Sequence, residues 1–148
     1  WSGKAWQEHI HTPGNWWVRC QYVHPWVAAS SWLQAGQALS SLRQEGVLII
    51  GSGMSFHNMR GYGDPRFGPI SDEFDQWLTQ AVESEPAKRH QALVDWAQAP
   101  SARLCHPPRA EEHLLPLMVV AGAAGHDRGQ RVFTDRVLET TLSAFRFG

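Results

Sequence analysis

Apolar positions along the chain recur with helical spacing in some stretches and run together in others. Residues 33–45, LQAGQALSSLRQE, set Leu33, Ala35, Ala38, Leu39 and Leu42 near a 3.6-residue period and predict a helix. Gly46 is its stop signal. Val47, Leu48, Ile49 and Ile50 follow with no polar residue among them, the pattern of a short central strand covered on both faces. A helix, a buried strand and the glycine turn Gly51-Ser52-Gly53 together read as an α/β unit.

After Arg60, GYGDPRFGPIS is loop chemistry, and Ser71 at its end is placed to cap a helix. That helix carries Phe74, Trp77, Leu78, Ala81 and Val82 on one side and breaks at Glu85-Pro86. A second helix is expected over 87–98, with Ala92, Leu93, Trp96 and Ala97 as its apolar residues. A third lies within CHPPRAEEHLLPLMVVAGAAGHD, with Glu111 and Glu112 in its first turn, where the helix dipole favours negative charge. Pro116 either bends this helix or sets its true beginning. The tail VLETTLSAFRFG is β-branched and aromatic, as a closing strand would be. The expected fold class is therefore α/β, a central sheet flanked by helices. No internal repeat and no linker marks a second domain.

Residues 1–32 do not share this grammar. They hold Trp1, Trp6, Trp16, Trp17, Trp26 and Trp32, six of the chain's 8 tryptophans, and neither a helical nor a strand period runs through them. The expected organisation is an atypical tryptophan-rich segment over 1–32 and the structured domain over 33–148.

Composition narrows the classes further. The chain has 148 residues, 43% of them hydrophobic and 18% charged, which is globular and enough for one core. The net charge is -1 with no basic block, so the electrostatic footprint of a nucleic-acid binder is missing. No apolar run approaches the roughly 20 residues that span a bilayer. WSGKAWQEHIH lacks the charged-then-apolar pattern of a signal peptide. Cys20 and Cys105 stand far apart in no metal-type spacing. A soluble, reducing, cytoplasmic setting is expected.

Histidine is the unusual component, with 8 residues. His57 follows the apolar run and glycine turn, where α/β sheets collect ligands beyond the carboxyl ends of strands. On these residues alone it is either such a site residue or an ordinary loop histidine. His113, in EEHLLPL, is either a metal ligand acting with the adjacent Glu112 or an exposed residue beside two dipole-serving glutamates. His9 and His11 would share a face only in a strand, and no strand pattern surrounds them. His24, His106 and His126 are expected in loops, and His90 on a solvated helix face. GSGMSF places Phe56 where a dinucleotide fingerprint needs its third glycine. Ser52 is not in a nucleophile elbow, because Ile50 stands two residues before it.

LRQEGVLIIGSGMSFHNMR, then DQWLTQAV, then PPRAEEHLLPLMVVAGAAG resembles the C-terminal half of the class III extradiol ring-cleavage dioxygenases, most closely those of the DOPA-extradiol-dioxygenase type. The resemblance runs from about residue 33 to residue 148. It implies a single non-haem metal ion, ferrous iron or zinc, and cleavage of a catechol-type aromatic by dioxygen next to its diol. It implies an acid/base role beside the metal for His57, which some descriptions also count as a ligand, and a metal-ligand role for His113. Imidazole suits both metals, and a group titrating near neutrality suits proton transfer.

The departures carry their own implications. Full-length members are longer and supply two further histidine ligands from an N-terminal half, which no motif here replaces. CQYVHPWVAASSW stands where members carry a strand of the PVVQLS kind. Residues 1–32 are therefore expected to be foreign to the family pattern, through a shifted reading frame or a divergent start. Two rival readings follow: a non-catalytic remnant or interaction module of the same fold, and a metal-dependent hydrolase using the same histidine pair. Tyr62, Arg66 and Phe67 are candidate contacts for the substrate pocket.

Overall fold

A computed structural model describes residues 28–148, together with the backbone of two short strands ahead of them. These are β1 (Trp6–Thr12) and β2 (Asn15–Cys20), paired antiparallel with an irregularity between Ile10 and Thr12. The expectation that no strand passes through His9 and His11 is thus corrected. Bulky aromatic and β-branched residues tolerate an extended backbone even where they do not alternate with polar ones.

Five helices follow: α1 (Ala29–Gln44), α2 (Phe67–Glu83), α3 (Pro86–Val94), α4 (Ala102–Cys105) and α5 (Leu115–Ala123), with a 3₁₀ turn at Trp96–Gln98. α1 starts ahead of residue 33, so the expected domain boundary falls inside a helix. It ends as expected at Gly46, whose φ of +82° suits glycine. α2 begins before Ser71, which is therefore no cap. The Ser71 hydroxyl donates to the Gly68 carbonyl at 2.7 Å and accepts from the Thr141 amide at 2.9 Å, tying the helix to the last strand. Pro116 occupies the first turn of α5, so it sets the helix start rather than bending it. Glu111, Glu112 and His113 consequently precede the helix.

The chain closes with β3 (Gly129–Val137) and β4 (Thr140–Phe147), an antiparallel hairpin laid on α2. The closing strand was legible; its partner β3 was not, because most of it is exposed and mixes charged with apolar residues. Leu138 and Glu139 form the two-residue turn, both at positive φ, as the twist of a tight hairpin requires.

The core gathers Leu33 from α1, Phe74, Leu78 and Val82 from α2, Leu93 from α3, Met118 from α5, and Phe56 and Leu114 from the connections. α1 and α5 cross closely at two glycines. A Cβ on Gly36 would strike the Val119 carbonyl, and one on Gly122 would lie 2.9 Å from the Leu33 carbonyl carbon. α/β remains the right class, but the expected central strand does not form. Val47–Ile50 have no ladder partner among the described residues, and Leu48 and Ile50 are 80% and 68% exposed. An apolar run favours an extended backbone, but a strand also needs a neighbour to take its amides and carbonyls.

Candidate functional site

The Gly51-Ser52-Gly53 turn lays the chain against the start of α5. A Cβ on Gly53 would collide with the His113 carbonyl, and one on Gly51 would lie 2.7 Å from the Pro116 carbonyl oxygen. Glycine at these positions lets the two backbones touch. The Met54 amide then donates to the His113 carbonyl at 2.8 Å. Two connections far apart in sequence are thereby joined one residue after the turn.

Past this junction the segment is strapped to α4. The His57 amide donates to the Cys105 carbonyl at 3.0 Å, and the Asn58 side-chain amide donates to the Leu104 carbonyl at 2.8 Å. Phe56, fully buried, packs edge-on against Tyr62 and Phe67. The result brings the two expected site histidines together. The His57 and His113 rings stack with centroids 3.5 Å apart and planes 25° from parallel.

Glu112 completes the group. Its Oε1 lies 3.4 Å from His113 Nδ1 and 4.0 Å from His57 Nδ1. Both Nδ1 atoms are buried and have no hydrogen-bond partner. Unpaired buried nitrogens are costly, and two of them turned toward one carboxylate suit a cation between them. One ligand atom from each residue lies within 4.8 Å of the others, a spacing that could hold a metal ion. Burial first, and the neighbouring His113 charge second, hold the His57 pKa below its usual 6.5, with Glu112 opposing. Its ring is therefore neutral at physiological pH, the form in which imidazole binds a metal or accepts a proton.

The two adjacent glutamates have different tasks. Glu111 is paired with Arg103 at 2.6 Å, and that guanidinium stacks 4.7 Å over the Trp96 ring. Glu112 alone turns to the histidines. In sequence both resemble dipole partners; the only local signal for Glu112 is its place next to His113.

The remaining histidines separate by surroundings. His106 lies in the connection after α4, as expected, but is fully buried and packs edge-to-face with Phe74 and Trp96. Its Nε2 bonds the Ser55 carbonyl at 2.9 Å, and burial pushes its pKa down to about 4. His126 is exposed as expected, and His90 is half-buried on α3. His24 lies outside the described residues, and His9 and His11 are described only as backbone of β1. Cys105 is buried and its thiol is pushed up to about 12, so it is no nucleophile.

Tyr62, Arg66 and Phe67 are engaged elsewhere. The Tyr62 hydroxyl donates to the Phe56 carbonyl at 3.0 Å, Arg66 grips Asp64 at 2.6 Å, and Phe67 packs on Phe56. A cleft of about 740 Å³ runs between the exposed 47–51 segment and β4. His113 borders it and His57 does not. No helix among the described residues is long and apolar enough to cross a membrane.

Residues 21–145 match the family described as the catalytic LigB subunit of aromatic ring-opening dioxygenase. The chain is 38% identical over 132 residues to dioxygenase tasH of Hapsidospora irregularis, covering 80% of this chain and 40% of that protein. It is 41% identical over 93 residues to 4,5-DOPA dioxygenase extradiol of Mirabilis jalapa, covering 61% of this chain and 33% of that protein. The fold is similar to that of the uncharacterized protein JW3007 from Escherichia coli K12, with a TM-score of 0.68 and 22% identity over 80% of this chain and 50% of that one. The chain thus spans well under half the length of these two curated relatives. With most of its length matched and its two motif histidines in contact, the chain belongs to the family of the catalytic LigB subunit of aromatic ring-opening dioxygenases.

Proposed function

We propose that this chain carries the C-terminal part of an extradiol dioxygenase site that opens a catechol-type aromatic with dioxygen. His113 and Glu112 would hold a single metal ion, with His57 as the third ligand atom on the same side. Ferrous iron is the metal this chemistry calls for, and zinc fits the same nitrogen and oxygen donors. The metal, when bound, would supply the positive charge that draws the diol and dioxygen together. The observation that carries the reading is the pair of buried, unpartnered Nδ1 atoms facing one carboxylate.

The chain's own part in the reaction is proton handling and placement. A catechol hydroxyl must lose its proton for ring attack, and a neutral His57 can accept it when the lone pair of its ring is not engaged as a ligand. The stacked His113 ring and the Glu112 carboxylate limit how far the resulting imidazolium can move, and the carboxylate stabilises its charge. Residues 33–148 would supply this half of the site, with the tryptophan-rich segment 1–32 ahead of it and its last residues entering α1.

The alternative reading is a remnant or interaction module that keeps the fold without turnover. Reconstitution with ferrous iron under anaerobic conditions, followed by oxygen uptake with a catechol, separates the readings. Uptake that is abolished in His57→Ala and His113→Ala supports the dioxygenase. Stoichiometric metal without oxygen uptake points to a hydrolase or an incomplete site, and no metal at all to a remnant.

A further inference from the structure

A fully buried imidazole that neither touches a ligand nor faces solvent needs a task that offsets its desolvation. His106 is such a group. Phe74 and Trp96 pack against it in edge-to-face geometry with centroids 5.5 and 5.9 Å away, so its ring cannot swing freely. Its one hydrogen bond goes to the Ser55 carbonyl at 2.9 Å, two residues before His57. A carbonyl can only accept, so Nε2 must carry the proton, which fixes the tautomer. The lone pair is left on Nδ1, which is buried without a partner.

We propose that His106 is a positioning residue for His57: its Nε2–H fixes the Ser55 carbonyl and so aims the His57 imidazole at Glu112 and His113. The proposal rests on the metal-site reading above and deepens it. Three neighbouring anchors act on this segment from α4 and the residue after it: His106 on Ser55, the Cys105 carbonyl on the His57 amide, and the Leu104 carbonyl on Asn58. Two of them hold backbone groups flanking Phe56, so together they set the direction in which the chain delivers the next side chain. Ser55 is also held from the other side, where its hydroxyl accepts from the Ser143 amide at 2.9 Å. Without the His106 donor the buried Ser55 carbonyl would have to turn toward another partner. The peptide between Ser55 and Phe56 would rotate with it. The 3.5 Å stacking of His57 on His113 leaves little tolerance for that rotation.

The test uses the full chain, with cobalt(II) alone as the metal probe and ring-nitrogen NMR of the metal-free protein as a second readout. His106→Gln keeps an N–H donor near the Nε2 position. His106→Leu keeps the bulk and removes the donor, and His106→Asn is too short to reach. His106→Leu should weaken cobalt binding at least about tenfold, the scale on which groups behind a metal ligand act. His106→Gln should recover most of that loss, and near-ultraviolet circular dichroism should show both variants folded. If His106→Leu does not fold, His106→Asn against His106→Gln makes the same comparison. Wild-type cobalt affinity in the donor-less variant, or no rescue by Gln, overturns the proposal. Should the wild-type chain bind no cobalt, the metal-site reading fails by itself. The His57 and His113 ring signals then decide: displaced without the donor and restored by Gln supports positioning, and unchanged in every variant overturns it.

Discussion

Lowering the pH from 7 to 5 should cost this fold about 2 kcal/mol through His106 alone, rising to about 3 kcal/mol at pH 4. The folded pKa is pushed down to about 4 by burial, against 6.5 for an ordinary histidine. Between those values the unfolded chain binds a proton that the folded chain refuses. The contribution is therefore fully present above pH 6.5 and is lost as pH falls toward 4. Urea unfolding at pH 7 and pH 5 measures it, with His106→Gln as reference because glutamine does not titrate. His57, also shifted down, acts with the same sign in both proteins and cancels in the comparison. The wild type should lose about 2 kcal/mol more than the variant over this interval. Equal losses in the two proteins would mean that the ring is wet or already charged in the fold, and the burial argument would be wrong.

Gly53→Ala should destabilise by about 1–3 kcal/mol, since the new methyl group meets the His113 carbonyl and backbone cannot move aside as a flexible side chain can. Thermal unfolding reads the loss, and a neutral result would show that the turn does not press on the α5 start. Leu48→Thr should change stability by no more than about 0.5 kcal/mol, because the side chain is largely exposed. A loss of several kcal/mol in chemical denaturation would instead place the 47–50 run inside a sheet.

Much of the scaffold is legible without coordinates. α2 has its apolar residues on one face, Glu85-Pro86 separates it from α3, and β4 is rich in the residues that prefer extended backbone. Each of these is a local preference expressed over several residues, so the signal survives whatever surrounds it. The candidate site was legible in part. His57 and His113 stand out through their motifs, whereas Glu112 differs from Glu111 in sequence only by standing next to His113. Only Arg103, arriving from α4, takes Glu111 and leaves its neighbour to the histidines.

By itself the sequence determined the class, the longer helices and the two candidate imidazoles, because periodicity, glycine turns and motif order are properties of neighbouring residues. The tertiary structure decided what depends on a distant partner. Val47–Ile50 are apolar enough for a central strand but lie open, since no described strand pairs with them. His106 follows a short helix and precedes two prolines, yet it is sealed by Phe74 and Trp96. Burial and hydrogen-bond pairing are set by what the rest of the chain places nearby, and no local window of residues contains that information.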